Sequence, residues 1–150
     1  MGKILLYESY FRMIKNSIDT KMFRNLYLDK SGKKVDIIEN GNIACAYFVS
    51  NLMLIWGLIS SGHATIKGAI RDMERNGWKK VCLNGIKQGD VIVWEEIRGF
   101  ERRIRSHIGF YIGNKKAISN DDKKGMIKIH NWTYENKRRI IAIYTHPKLK

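Results

Sequence analysis

The chain is poor in the residues that interrupt or cross-link a fold. It holds one proline and two cysteines in 150 residues. With one proline and scattered glycines it is neither collagen-like nor rich in linkers. Two cysteines, Cys45 and Cys82, are too few for a disulfide framework or a self-sufficient zinc site, and His63, His107, His130 and His146 show no ligand spacing that would make up the number. No metal or other cofactor is expected, and the cysteine usage favours a reducing compartment. Repeats and low-complexity tracts are also missing, so residues 1–150 are expected to form one domain.

Acidic residues are scarce: 14 Asp and Glu stand against 28 Lys and Arg, a formal charge of +14. Such a surface attracts polyanions, whether nucleic acid, anionic lipid headgroups or cell-wall polymers. The basic residues recur along the whole chain, so no single arm is marked as the contact. A secretory signal is missing too: the N-terminal patch "ILLY" is soon broken by Glu8 and Arg12. This predicts a cytoplasmic protein that reaches any outside substrate by release or non-standard export. The run "IACAYFVSNLMLIWGLI" is about long enough to span a bilayer. Because it contains Ser50 and Asn51, a buried helix and no membrane span are expected.

What is present is enough apolar residue, 44%, for one core. Apolar spacing predicts a helix over residues 4–16, and residues 17–40 suggest one or two short extended pieces. Residues 1–39 have no assigned role and are read as an N-terminal extension. "NGN" at 40–42 punctuates the chain, with Asn42 placed to cap a buried helix from Ile43 to about Ser60. "ATIKGAIRDMERNGW" predicts another helix, closed by Gly77. The period then changes. "GDVIVWEE", a hairpin in "SHIGFYIGNKKAISN", "GMIKIHNW" and "KRRIIAIYTH" read as strands. Helices followed by a run of antiparallel strands give an α+β fold.

Within this frame Cys45 falls in the first turn of the buried helix. Unpaired amides and the positive end of the helix dipole there favour a thiolate and can hold an oxyanion. A nucleophilic cysteine needs an imidazole and a group that orients it. His107 opens a strand; Gly109 shares its face and would let a helix approach closely, while Ile108, Phe110 and Ile112 face apolar packing. The hairpin turn decides which residue lies opposite His107. A Gly113-Asn114 turn brings Asn120 there, a loop from Ile112 to Asn114 brings Ser119, and a loop from Gly113 to Lys115 brings Asp121. The two-residue turn fits best and selects Asn120. His130 is a second-choice partner, Cys82 reads as core, His63 as a cap or surface residue, and the tryptophans as core. The Arg-bearing segment 95–106 reads as a loop that rims a cleft or is merely solvated.

The ordered blocks "ACAYFVS", "QGDVIVW" and "SHIGFYIGNKKAIS" resemble the NlpC-type papain-like cysteine peptidases over roughly residues 40–120. The resemblance implies a papain-like α+β fold with Cys45 as nucleophile, His107 as general base, and Gly89-Asp90 as the turn before the strand that ends at Trp94. Strict family spacing places the third residue, often a His, at Ser119. It also implies hydrolysis of peptide or amide bonds of peptidoglycan type without a metal. The expected catalytic set is thus Cys45, His107 and Asn120, with Ser119 or Asp121 as alternatives for the third position. Two rival readings are a basic nucleic-acid-binding module and a catalytically inactive member of the same fold.

Overall fold

The computed structural model describes residues 1–99 and 103–150. Three helices come first: α1 (Leu6–Asn16), α2 (Cys45–Ile55) and α3 (Ile66–Arg75). Between α1 and α2 a small hairpin pairs β1 (Tyr27–Lys30) with β2 (Lys33–Asp36). The main sheet is built from β3 (Lys79–Lys80), β4 (Val91–Arg98), β5 (Ile104–Gly113), β6 (Lys116–Asp121), β7 (Met126–Asn131) and β8 (Ile140–Thr145). Its strand order is β3-β8-β4-β5-β6-β7, with every pair antiparallel. No helix among the described residues is long and apolar enough to cross a membrane.

Alternation along β4 and β5 sorts the apolar side chains onto two faces. Val91, Val93, Ile108, Phe110 and Ile118 join Phe48, Val49, Leu52 and Met53 of α2 in the larger core. Ile92, Trp94 and Ala117 form a smaller cluster on the opposite face, where Trp132 and Tyr134 pack. Edge-to-face rings stitch the first core: Phe110 meets Phe48 at 5.5 Å and Tyr10 of α1 at 5.9 Å. Such pairs each add about 0.5–1.5 kcal/mol beyond area burial. Tyr10 also donates a 2.7 Å hydrogen bond to the Gly89 carbonyl, which ties α1 to the turn before β4.

Helix α2 begins two residues later than expected and ends at Ile55, where Trp56 leaves helical geometry and Gly57 follows with φ +65. Asn42 does not cap it. The N-cap is Ala44, without a side-chain bond, and the Asn42 amide nitrogen goes to Glu39 instead. For α3 the capping is regular: the Thr65 hydroxyl accepts from the Gly68 amide, and Gly77 (φ +95) follows the helix. Cys82 is exposed, contrary to the core reading, because it follows a two-residue edge strand whose lysines face solvent. The expected loop over 95–106 is largely strand: β4 runs to Arg98 and β5 starts at Ile104. Phe100, Glu101 and Arg102 of that reading lie outside the described residues.

Candidate active site

The turn between β5 and β6 is Asn114-Lys115, both with positive φ (52 and 57), as in a type I′ hairpin. Gly113 pairs with Lys116, an irregularity follows, and the ladder then runs Tyr111↔Ala117 to Gly109↔Ser119. This register corrects the expected pairing of His107 with Asn120, and also the alternative with Ser119, which lies opposite Gly109; the Asp121 carboxylate accepts from the Lys123 and Lys124 amides instead of the imidazole. Ser119 shares a face with His107 and Gly109, and the Asn120 side chain points to the other face. The Asn120 carboxamide donates to the Gly41 carbonyl at 2.7 Å and to Asp122 Oδ1 at 2.9 Å. It therefore holds the segment before Cys45 against β6 rather than orienting an imidazole. Only its main-chain carbonyl faces His107, where it favours the protonated ring.

The β5–β6 ladder stops at Gly109↔Ser119, while β6 stays paired with β7 as far as Asp121↔Met126. β5 and β6 are unpaired beyond that point. Cys45 belongs to the core on the helix side of the sheet, where the Ile108 and Ala46 amides favour its thiolate. His107 lies beside Trp94, its pairing partner on β4. Among the described residues no hydrogen bond joins the thiol to the imidazole. They share neighbours instead: Arg138 acts electrostatically on both. Asp122 lines both a cavity of about 850 Å³ that contains His107 and one of about 330 Å³ that contains Cys45.

Burial pushes the Cys45 thiol up to about 12, assisted by the charge of Asp122 and opposed by the Ile108 and Ala46 amides. The expectation of an easily ionised thiol at a helix N-terminus is thus corrected: loss of water outweighs the amides and the dipole. Burial, followed by Arg138, His130 and Arg105, holds His107 well below its ordinary value. The resting pair is a neutral thiol and a neutral imidazole. Burial also raises Asp122, to about 6, against its bond from Asn120 and the guanidinium groups of Arg105 and Arg138.

The imidazole is held by Ser119, an alternative to Asn120 in the sequence reading and the position that family spacing implies. His107 Nε2 lies 2.9 Å from Ser119 Oγ, which lies 2.7 Å from His130 Nε2 and 3.2 Å from the Tyr134 hydroxyl. Nδ1 of His130 is 2.7 Å from the Asn131 carbonyl. Tyr134 stacks on His130 at 4.1 Å, and the Trp94 ring lies within 5.6 Å of His107, His130 and Tyr134. Gly109 makes room for this cluster, not for a helix as expected. A Cβ there would meet Ile118 O at 2.6 Å, Ser119 Cβ at 2.7 Å and the Trp94 ring at 3.1 Å. Tyr134, Asp122 and Arg138 were not singled out from the sequence. The available signal for Tyr134 was "NWTYEN", where the Asn131 side chain accepts from the Thr133 and Glu135 amides and so builds the turn.

His63 belongs to a separate cluster. Its Nε2 contacts Asp72 Oδ2 at 2.7 Å and Ser61 Oγ at 3.3 Å. Because both contacts use the same nitrogen, it ties the post-α2 loop to α3 and cannot pass a proton from serine to carboxylate.

A family model described as bacteriophage peptidoglycan hydrolase matches residues 38–148. The chain belongs to this family. The match takes in Cys45, His107, Ser119, His130 and Tyr134, and leaves α1, β1 and β2 outside it. Among solved structures, that of NlpC2 from Trichomonas vaginalis resembles this member of the hydrolase family with a TM-score of 0.55 and 14% identity, covering 97% of this chain and 49% of that one. The chain therefore spans about half the length of that solved relative, and the likeness establishes an NlpC-type, papain-like fold. No curated protein matches the chain.

Proposed function

We propose that the protein cleaves amide bonds in the peptide part of peptidoglycan by a cysteine-histidine acyl-enzyme mechanism. The observation that carries this reading is Cys45 at the start of α2, where the Ile108 and Ala46 amides favour its anion. Membership of a peptidoglycan hydrolase family supports the substrate class.

In the resting site the thiol is neutral, so attack and deprotonation are coupled. His107 takes the Cys45 proton as the sulfur bonds to the amide carbon. The carbonyl electrons move onto oxygen, and unpaired amides of the first turn of α2 receive the oxyanion. Collapse of this adduct breaks the C–N bond as His107 returns the proton to the leaving amine. Water, deprotonated by His107, then hydrolyses the thioester and restores the thiol. Because both groups are neutral at rest, the imidazolium exists only while negative charge sits on sulfur or on the oxyanion.

Purified peptidoglycan incubated with wild type is expected to release new amino groups. Cys45→Ala and His107→Ala should each abolish this, a loss of about a thousandfold or more. If Cys45→Ala released amino groups at the wild-type rate, the mechanism would be refuted.

A further inference from the structure

The hydroxyl of Ser119 is a weak orienter on its own, yet it is almost fully buried and makes three contacts. Proton bookkeeping fixes the direction of each. A main-chain carbonyl only accepts, so His130 Nδ1 donates to Asn131 O and carries the ring proton. Nε2 of neutral His130 is then an acceptor, and Ser119 must spend its single proton on it. Both remaining lone pairs of Ser119 accept, one from His107 Nε2–H and one from the Tyr134 hydroxyl. One donor and two acceptor sites are filled, and no proton is left without a partner.

We infer that Ser119 and His130 together act as the positioning group for His107, locking it in the Nε2–H form so that Nδ1 carries the lone pair that accepts the Cys45 proton. This rests on the cysteine-histidine reading above. The imidazole that orients the base comes from β7, one strand beyond the hairpin, and acts through a serine on β6. Tyr134 stacks over His130 and holds it in register. Neither Ser119 nor His130 changes its protonation in the cycle. Nδ1 of His107 gains the thiol proton and gives it to the leaving amine, while Nε2–H stays on Ser119 throughout. The charged and titratable groups that act on His107 include Arg138, His130 and Arg105, the Tyr134 ring lies 6.3 Å from it, and the Asn120 main-chain carbonyl favours its protonated form. Burial lowers His130 as well as His107, in keeping with two neutral rings in the chain of bonds.

The test uses the full chain with four variants: His107→Ala, Ser119→Ala, His130→Phe and His130→Gln. The Gln amide oxygen sits near the place of Nε2 and still accepts the Ser119 proton. Ser119→Ala and His130→Phe are expected to lower kcat for amide-bond cleavage about tenfold or more, with KM within about twofold. His130→Gln should recover most of the rate. Imidazole ¹⁵N spectra should show His107 as a single Nε2–H tautomer in wild type and as a mixture in His130→Phe. If His130→Phe keeps the wild-type kcat and one His107 tautomer while His107→Ala is inactive, the relay is wrong and the cysteine-histidine mechanism stands. If His107→Ala is fully active, the mechanism falls and the relay with it. Should His130→Phe fail to fold, the wild-type tautomer decides: a proton on Nδ1 of His107 overturns the assignment.

Discussion

A thiol in the first turn of a helix feels amides that favour its anion and apolar walls that oppose it. At Cys45 the walls dominate. Asp122 adds to the opposition, so removing its charge should make the sulfur more reactive. In a Cys82→Ser background, which removes the exposed competitor, Asp122→Asn is expected to speed alkylation of Cys45 by iodoacetamide several-fold at pH 8. An unchanged rate would show that Asp122 does not act on the thiol. Asp122 also links stability to pH. Its folded value is raised, so its contribution is fully present below the unfolded value and is lost as pH rises through about 6. The melting-temperature advantage of Asp122→Asn over wild type should therefore grow between pH 4 and pH 7, as thermal unfolding across that range will show. Cys45 and His107 were legible in the sequence because Cys45 opens a helix and His107 lies in the alternating run of a strand. Asp122 was not, because what sets its role is partial burial beside two arginines distant in sequence, Arg105 of β5 and Arg138 of the segment before β8.

At the level of elements, one turn decides the site. The sequence "GN" suggested Gly113-Asn114 as the central pair, whereas the chain turns one residue later and accommodates Gly113 (φ +93) at the irregular pair. A slip of one residue exchanges the faces of a strand, which is why Asn120 gave way to Ser119 while the hairpin itself was read correctly. Lys115 adopts a left-handed conformation that favours glycine. Lys115→Gly is expected to stabilise the protein by about 0.5–1 kcal/mol in urea titration. A second element-level constraint lies beside the nucleophile. A Cβ on Gly41 (φ +88) would come within 2.5 Å of Gly125 Cα, in the turn between β6 and β7. Gly41→Ala should cost about 1–3 kcal/mol and impair cleavage by moving the segment that enters α2; urea titration with a parallel activity assay tests both parts. Helices α1, α2 and α3 were recognisable from apolar spacing. Their ends at Leu6 and Cys45 were not, because Ile4 and Leu5 are exposed and Asn42 is turned toward Glu39.

For the molecule as a whole, the charge of +14 acts at a longer range than any contact in the site. Peptidoglycan sacculi carry anionic groups, and lysines 123, 124, 128 and 137 line the cavity that contains His107. Raising sodium chloride from 50 to 500 mM is expected to weaken binding to sacculi at least several-fold while leaving kcat on a short neutral peptide substrate nearly unchanged. Equal losses on both substrates would place the salt effect in the chemistry instead. The α+β order and five of the six strands of the main sheet were visible at this scale from the change of period after Gly77; the two-residue β3 was not. The end of the β5–β6 ladder at Gly109 and Ser119 was not, since it depends on where one ladder stops and its neighbour continues.

A sulfur stored protonated and covered is also a sulfur sheltered from air. Peroxide consumes thiolates in preference to thiols, and the exposed Cys82 stands ready to take the oxidant first. Ageing of the preparation should thus begin as a surface blemish at Cys82, with the cutting edge at Cys45 blunted only later.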